Sequence, residues 1–301
     1  MRRRHIVWLV IGVTAVSTSA VLIRAADNLD VPPFAIAFYR CGLASVVLVP
    51  LAWLRHRDEL RALPRQRRHL LLASGAALGL HFATWISSLS YTSVAAASVL
   101  VQTMPIWVAL AGPLVGERTS RRGWAGIGVA SIGALVIAAD GSSSVGSAPL
   151  LGDVLAVAGA VFAAAYVLIG RNVRQDLSLV SYTASVYAVA ALLLAAAMLA
   201  TGTPFLGYPS EAWALFAAMT VGPQFLGHTV FNHLLEHLKA SVVSVALLAE
   251  PIGATVLAYL IFGERAGPQV VIGGAIVLAG VAVTVMAEAA ARPEVLATPE
   301  E

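Results

Sequence analysis

Apolar residues in this chain fall into long continuous runs separated by short polar segments. Ten such runs can be traced, at about 6–26, 33–54, 70–90, 94–115, 123–139, 152–170, 179–201, 211–235, 241–262 and 268–287. A helix needs about 20 apolar residues to cross a hydrocarbon core about 30 Å thick. The pattern therefore predicts an all-α integral membrane protein of ten transmembrane helices. The segments between runs are short, which leaves little length for a domain outside the bilayer.

Composition narrows the class further. The 301 residues are 59% hydrophobic and 12% charged, with a mean hydropathy of +0.84. Soluble domains carry about 25% charged residues, so the counts exclude a soluble enzyme, a nucleic-acid binder and a disordered chain. The net charge is +3, from 18 Arg, one Lys and 16 acidic residues. Sixteen of the nineteen basic residues lie on one side if the N-terminus is cytoplasmic: Arg2–Arg4, six Arg from Arg55 to Arg68, then Arg118, Arg121, Arg122, Arg171, Arg174, Lys239 and Arg292. Such a bias predicts both termini in the cytoplasm, as for a multi-pass protein of a bacterial inner (plasma) membrane. Arg2–Arg4 followed by Ile6–Ile23 also has the look of a signal peptide. The many later spans favour a first transmembrane helix with the same basic flank. Cys41 is the single cysteine, so no intrachain disulfide is expected.

The two halves repeat. Val21-Leu22-Ile23 recurs as Val167-Leu168-Ile169, and Leu89, Ser98 and Pro105 recur as Leu235, Ser244 and Pro251, all 146 residues on. Gly116-Glu117-Arg118 recurs as Gly263-Glu264-Arg265, and Gly126 and Gly133 as Gly273 and Gly280, at 147. Five spans per unit is an odd number, so the second copy is inverted relative to the first. The expected organisation is a first five-helix repeat over 6–139, a linker over 140–150, a second repeat over 151–287 and a disordered cytoplasmic tail over 288–301. Inverted repeats are a carrier architecture, with the site near the midplane between the halves.

Two tandem five-helix units, each with a Pro in its fourth helix, then Gly-Glu-Arg and a Gly-rich fifth helix, resemble the drug/metabolite transporter superfamily, EamA type. Glu250-Pro251 with Gly263-Glu264 is the sharpest element, and Arg40 in Phe38-Tyr39-Arg40 resembles the second-helix arginine of that family. The second unit opens with Gly152-Asp153 and the stretch Val161–Tyr166, which brings Phe162 to the expected cavity. The resemblance implies a ten-helix secondary carrier, often an exporter of amino acids, other metabolites or toxic compounds. One departure is that the first unit has Met104-Pro105 where the second has Glu250-Pro251.

Ionisable residues inside a bilayer are costly and mark functional sites. Counting helical rise from the outer surface puts Arg40 at about 10 Å, Gln102 at about 12 Å, His81 at about 13 Å and Glu250 at about 16 Å. The four share one layer. Arg40 either neutralises Glu250, binds a substrate carboxylate, or serves as a structural arginine. Glu250 is either a proton carrier or one half of a fixed salt bridge. Pro105 and Pro251 are expected to kink the fourth helices and free backbone carbonyls. His81 and Trp85 lie on one helix face with Ser88, and with Trp107 they outline an aromatic pocket. His228, Asn232 and Glu236 fall at i, i+4 and i+8, beside His233 and His237. They read as a polar stripe lining the inner cavity rather than a metal site, since no second cluster completes a coordination sphere. No cofactor, metal or nucleic-acid partner is implied. The expected partners are a small-molecule substrate, a coupling proton or ion, and the bilayer. An intramembrane His-containing enzyme and a non-transporting membrane scaffold are the competing functions.

Overall fold

The computed structural model describes residues 3–111, 119–138, 147–174, 177–234 and 247–291. Within them every regular element is a helix. In chain order these are α1 (Arg3–Ser17), α2 (Ser19–Asp27), α3 (Pro33–Ala62), α4 (Arg65–Ser88), α5 (Val94–Val101), α6 (Met104–Ala111) and α7 (Arg121–Ala138). The second half has α8 (Pro149–Val173), α9 (Leu179–Thr201), α10 (Ser210–Met219), a π-helical stretch (Thr220–Thr229), α11 (Val230–Leu234), α12 (Glu250–Phe262) and α13 (Pro268–Ala291). Joined across their breaks, the described helices group into ten spans, as the apolar runs predict. The Gly116-Glu117-Arg118 motif, Glu236, His237 and most of the linker and tail lie outside the described residues.

The surface is apolar where a soluble protein would be polar. Val46, Leu54, Leu135, Leu192, Leu199 and Leu260 are all strongly exposed. Seven of the described helices are long and apolar enough to cross a membrane. In hydrocarbon the backbone must satisfy its own hydrogen bonds, which helices do and open loops do not. The chain is thus a multi-pass membrane protein.

Helix ends follow local chemistry. Ser93 caps α5 by accepting the Ala96 N–H at 3.1 Å, and Ser178 caps α9 by accepting that of Ser181 at 3.3 Å. Gly202 and Gly263 close α9 and α12 with φ of 69° and 68°, a left-handed conformation that glycine adopts without a Cβ penalty. The helix of the second span runs past the bilayer: its apolar run ends at Leu54 and the backbone leaves helical geometry at His56 (φ −134°). Beyond that break Glu59 reaches over to α9. Its carboxylate accepts the Ser178 N–H at 3.0 Å and the Ser181 hydroxyl at 2.9 Å, and its other oxygen meets His56 Nδ1 at 2.7 Å. Burial raises the Glu59 pKa, but these bonds to Ser178, His56 and Ser181 outweigh it and hold it at about 2.

Each major helix contact joins one repeat to the other: α7 packs on α13, α3 on α9, α4 on α8, and α1 on the π-helical stretch and α11. These pairs exchange under a pseudo-two-fold that swaps the repeats. The glycines make the operation visible. A β-carbon on Gly126 would sit 2.7 Å from the Gly280 carbonyl oxygen, and one on Gly273 would sit 2.7 Å from that of Gly133. Swapping the repeats turns one contact into the other. Gly159 meets Trp85 in one half as Gly12 meets the Phe231 ring in the other, in both cases at 3.0 Å for an added β-carbon. Small residues at such crossings let backbones approach where no hydrophobic effect drives helices together.

Among the described residues four spans are interrupted. The first is broken at Thr18. In the fourth, Gln102 and Thr103 leave the helix, donating to Val99 and Leu100 at 3.1 Å in three-residue turns. Pro105 follows one turn later. In the ninth, the turn at Leu248-Ala249 stands at the equivalent place, before Pro251. The expectation of a kink is therefore corrected to a break. Proline has no N–H and its ring crowds the carbonyl four residues back, so a new helix starts at the proline instead of bending through it. The eighth span widens into the π-helical stretch around Pro223.

Candidate polar site at the helix breaks

The break in the fourth span puts Gln102 at the C-terminal end of α5, and the break in the ninth puts Glu250 at the first position of α12. The two meet: Gln102 Nε2 donates to Glu250 Oε2 at 2.7 Å, linking the repeats. Gln102 is buried and Glu250 half-buried. A carboxylate in the first turn of a helix is favoured by the helix dipole. Met104, the counterpart of Glu250 in the first repeat, has no charge to offer.

Arg40 is wholly buried on α3. Its neighbour Tyr39 points the other way, stacking on Phe216 with ring centroids 4.6 Å apart and meeting Trp213 edge-on at 4.8 Å. That aromatic cluster fixes the rotation of α3 and turns Arg40 to the interior. Nε donates to Gln224 Oε1 at 2.7 Å and one terminal nitrogen to the Ser19 hydroxyl at 2.8 Å. The guanidinium carbon lies 4.3 Å from the centre of the Phe82 ring. Charge-assisted hydrogen bonds are worth about 1.5–3 kcal/mol each, and a desolvated cation–π contact about 2 kcal/mol. Together they offset part of the cost of burying a charge. The second terminal nitrogen has no hydrogen-bond partner among the described residues. The helix breaks serve this site too, since Ser19 follows the interruption at Thr18 and Gln224 sits in the π-helical stretch.

Arg40 and Glu250 act on each other through space without a direct salt bridge. The breaks supply each with a nearer neutral partner, Gln224 and Ser19 for Arg40, Gln102 for Glu250. Around them stand two histidines. His81 Nδ1 lies 2.9 Å from the Gly159 carbonyl oxygen, and its ring stacks on Trp85 at 5.9 Å and 10°. Gly159 is glycine because a β-carbon there would press 3.0 Å from that of Trp85. His228 meets Phe82 edge-on at 6.2 Å, the ring on which Arg40 rests. His81 and Phe82 are themselves in contact at 4.9 Å.

The remaining predicted residues are placed less centrally. Ser88 donates to the Trp85 carbonyl of its own helix at 2.6 Å, and Trp107 donates to Thr103 at 3.2 Å across the break of its own span. Trp107 is thus tied to the Thr103 hydroxyl in its own break, not to His81 or Trp85. Phe162 is half-buried on α8. Pro251 is buried and Pro105 half-buried. His233 is exposed, and of Asn232 only the helical backbone is described. No group of three metal-ligating side chains occurs among the described residues.

Gln224 and Ser19 were not singled out in the sequence, although Gln224 beside Pro223 is a polar group in an apolar run. A second signal is that His81 and His228, 147 residues apart, stand on corresponding spans of the two repeats, the third and the eighth.

The comparisons with known proteins agree with this architecture. The EamA-like transporter family matches twice, over residues 3–139 and 150–286. An uncharacterized transporter of Archaeoglobus fulgidus is 27% identical over 259 residues, covering 85% of this chain and 88% of its own. A solved crystal structure superposes with a TM-score of 0.66 over 95% of this chain and 98% of that one. At 19% identity it speaks to the fold alone. With two copies of the family's unit spanning nearly the whole sequence, the protein belongs to the EamA-like transporter family.

Proposed function

We propose that the protein is a secondary transporter that exports a small metabolite, an amino acid or related compound or a drug, by alternating access. The observation that carries this reading is the polar layer at the helix breaks, where Gln102 and Glu250 join the repeats and Arg40 stands nearby with one terminal nitrogen uncommitted. A buried cation and a carboxylate in one layer suit a substrate bearing both an acidic and a basic group. The arginine fork fits a carboxylate and Glu250 fits an ammonium or a coupling proton. The pseudo-two-fold supplies the cycle, because two related bundles that exchange conformations produce two states of similar energy. The family and its relative point to carriage rather than catalysis. The charge bias supports a bacterial inner membrane with both termini on the cytoplasmic side and the Asp27–Pro32, Tyr91–Ser93 and Gly263–Gly267 segments outside.

The test begins with resistance and efflux of amino acids, their toxic analogues and cationic drugs in cells overproducing the protein. Any compound that scores is then assayed in proteoliposomes, with and without a proton gradient. Glu250→Gln keeps the Gln102 contact but removes the charge, and transport is expected to fall by an order of magnitude or more, about 1.4 kcal/mol per tenfold. A wild-type rate in Glu250→Gln overturns the role of that carboxylate. Failure of the purified protein to move any compound in the panel overturns the reading as an exporter of these classes.

A further inference from the structure

The Gly-Glu-Arg motif at the end of α12 is absorbed neither by the fold nor by the polar site, and its carboxylate makes a contact of its own. Gly263 turns the chain in the left-handed conformation, and the Glu264 N–H donates back to Ala258 at 3.3 Å. That turn sends the Glu264 side chain across to the opposite repeat, where Oε1 accepts the N–H of Val94 at 2.6 Å. Val94 is the first residue of α5, so Glu264 caps that helix beside Ser93. The other oxygen lies 3.6 Å from Nε of Arg24 at the end of the first span. Arg24 also donates to the Thr92 carbonyl at 2.8 Å and lies 3.6 Å from Asp27. The ring closes through Ser90, which donates to Asp27 at 2.6 Å, and Thr92, which donates to Asp153 at 2.9 Å. Side-chain exposure is only 11% at Arg24 and 8% at Glu264, so this pair is nearly buried although it stands at the end of the bundle.

Its position relative to the polar site matters. Val94, Ser98 and Gln102 lie at i, i+4 and i+8 and share one face of α5. α5 packs on α12. One end of this face is held by Glu264, just past the end of α12, and the other by Glu250, at its start. A path from the face opposite the N-terminus that reaches the Gln102–Glu250 layer between α5 and α12 would have to separate them, and Glu264 ties the two together at that end.

We infer that Glu264 and Arg24 form the outer latch of the transport pathway, closed in this structure, and that opening to the outside requires Glu264 to leave both Val94 and Arg24. Glu264 is a positioning residue in this scheme and does not touch substrate. The inference rests on the proposed pathway and orientation, and its test needs neither a known substrate nor transport.

The reporter is Ser98→Cys in a Cys41→Ala background. Ser98 is buried between the latch and Gln102 and lies outside the polar site. A membrane-impermeant maleimide is applied separately to each face of the membrane, with an N-terminal tag marking sidedness. In the parent, labelling from the face opposite the N-terminus is slow. Glu264→Gln, which preserves volume, and Arg24→Gln are each expected to raise labelling from that face about tenfold, with no rise from the N-terminal face. Glu264→Asp, checked for folding by size exclusion like the others, is expected to fall between parent and Glu264→Gln. Unchanged labelling from the opposite face overturns the latch. So does an equal rise from both faces, which is the signature of a loosened bundle. One-sided labelling in a protein that carries no tested compound upholds the latch and counts against the export reading alone.

Discussion

Replacing Gly133 by Ala tests whether the two fifth spans truly meet backbone to backbone. The added β-carbon would lie 2.6 Å from the Gly273 carbonyl oxygen and 2.6 Å from the Val277 amide nitrogen, both on α13. Neither obstacle can rotate away as a side chain would. Ordinary contact begins at 3.4 Å, so α7 and α13 must part by about 0.8 Å at this crossing. A gap of that size forfeits a quarter to a half of each neighbouring dispersion contact. Overpacking of this kind costs about 1–3 kcal/mol. Opposing it, Ala favours a helix over Gly by about 1 kcal/mol. Gly128 separates the two terms, because it lies on the same helix and a β-carbon there meets nothing within 4 Å. The propensity gain is common to both, so the difference between Gly133→Ala and Gly128→Ala isolates the overpacking term of about 1–3 kcal/mol. Unfolding of the purified protein in mixed detergent micelles measures it. Gly128→Ala should match or exceed the parent and Gly133→Ala should fall below it. Equal stability of the two variants would refute the close crossing. A Gly133→Ala, Gly273→Ala double variant should lose less than the sum of the singles, since the helices have already parted.

Two further outcomes are expected. Arg40→Lys should fold but transport poorly, because a single ammonium cannot reproduce the fork that holds both Gln224 and Ser19; transport assays beside a thermal-stability check decide it. Glu59 links the end of the second span to the start of α9, and its folded pKa of about 2 lies below its ordinary 4.5. A depressed carboxylate stabilises above its unfolded pKa, and that contribution is lost as pH falls from about 4.5 towards about 2. Glu59→Gln should therefore lower the melting temperature at pH 7 and flatten its decline in that acid window, and an unaltered acid profile would sink this role for Glu59.

The ten spans and their pairing into repeats were legible because a bilayer imposes a length of apolar sequence, and because Pro105/Pro251 and the Gly126, Gly133, Gly273 and Gly280 set recur at offsets that differ by a single residue. Glu250, Arg40 and Gln102 were legible as candidates for a similar reason, since a strongly polar group in an apolar run needs an explanation. Their partners were not. Gln102 and Glu250 are 148 residues apart, and Arg40 and Gln224 are 184 apart. Such contacts are settled by the pseudo-two-fold and by the helix breaks, neither of which a local pattern specifies. Proline announces a disturbance, yet whether a helix bends or restarts depends on what its neighbours can hydrogen-bond. Ser19 and Gln224 passed unnoticed because uncharged polar residues are ordinary glue between membrane helices. Glu264 was read only as part of a repeat, because its partner is a backbone N–H that has no sequence signature.

The scaffold is nearly symmetric while the chemistry is not. Equivalent glycines make equivalent contacts and His81 and His228 stand on corresponding spans, but Glu250 faces back to Met104 and Arg40 to Val186. Strict symmetry would put two carboxylates and two arginines into one desolvated layer, and like charges there repel strongly because little solvent screens them. Keeping one of each sign leaves the layer just as neutral with half as many charges to desolvate. It also means that the two halves, though alike in shape, present different groups to whatever lies between them. Symmetry of packing keeps the two states of a carrier close in energy, so a modest difference in binding suffices to shift between them. Under the proposed function, asymmetry of charge would give a substrate a direction in which to lie, with an acidic end towards Arg40 and a basic end towards Glu250. The breaks at Thr18, Gln102-Thr103, Leu248-Ala249 and the π-helical stretch reconcile the two demands. They free or present polar groups locally without disturbing the glycine crossings on which the two-fold depends.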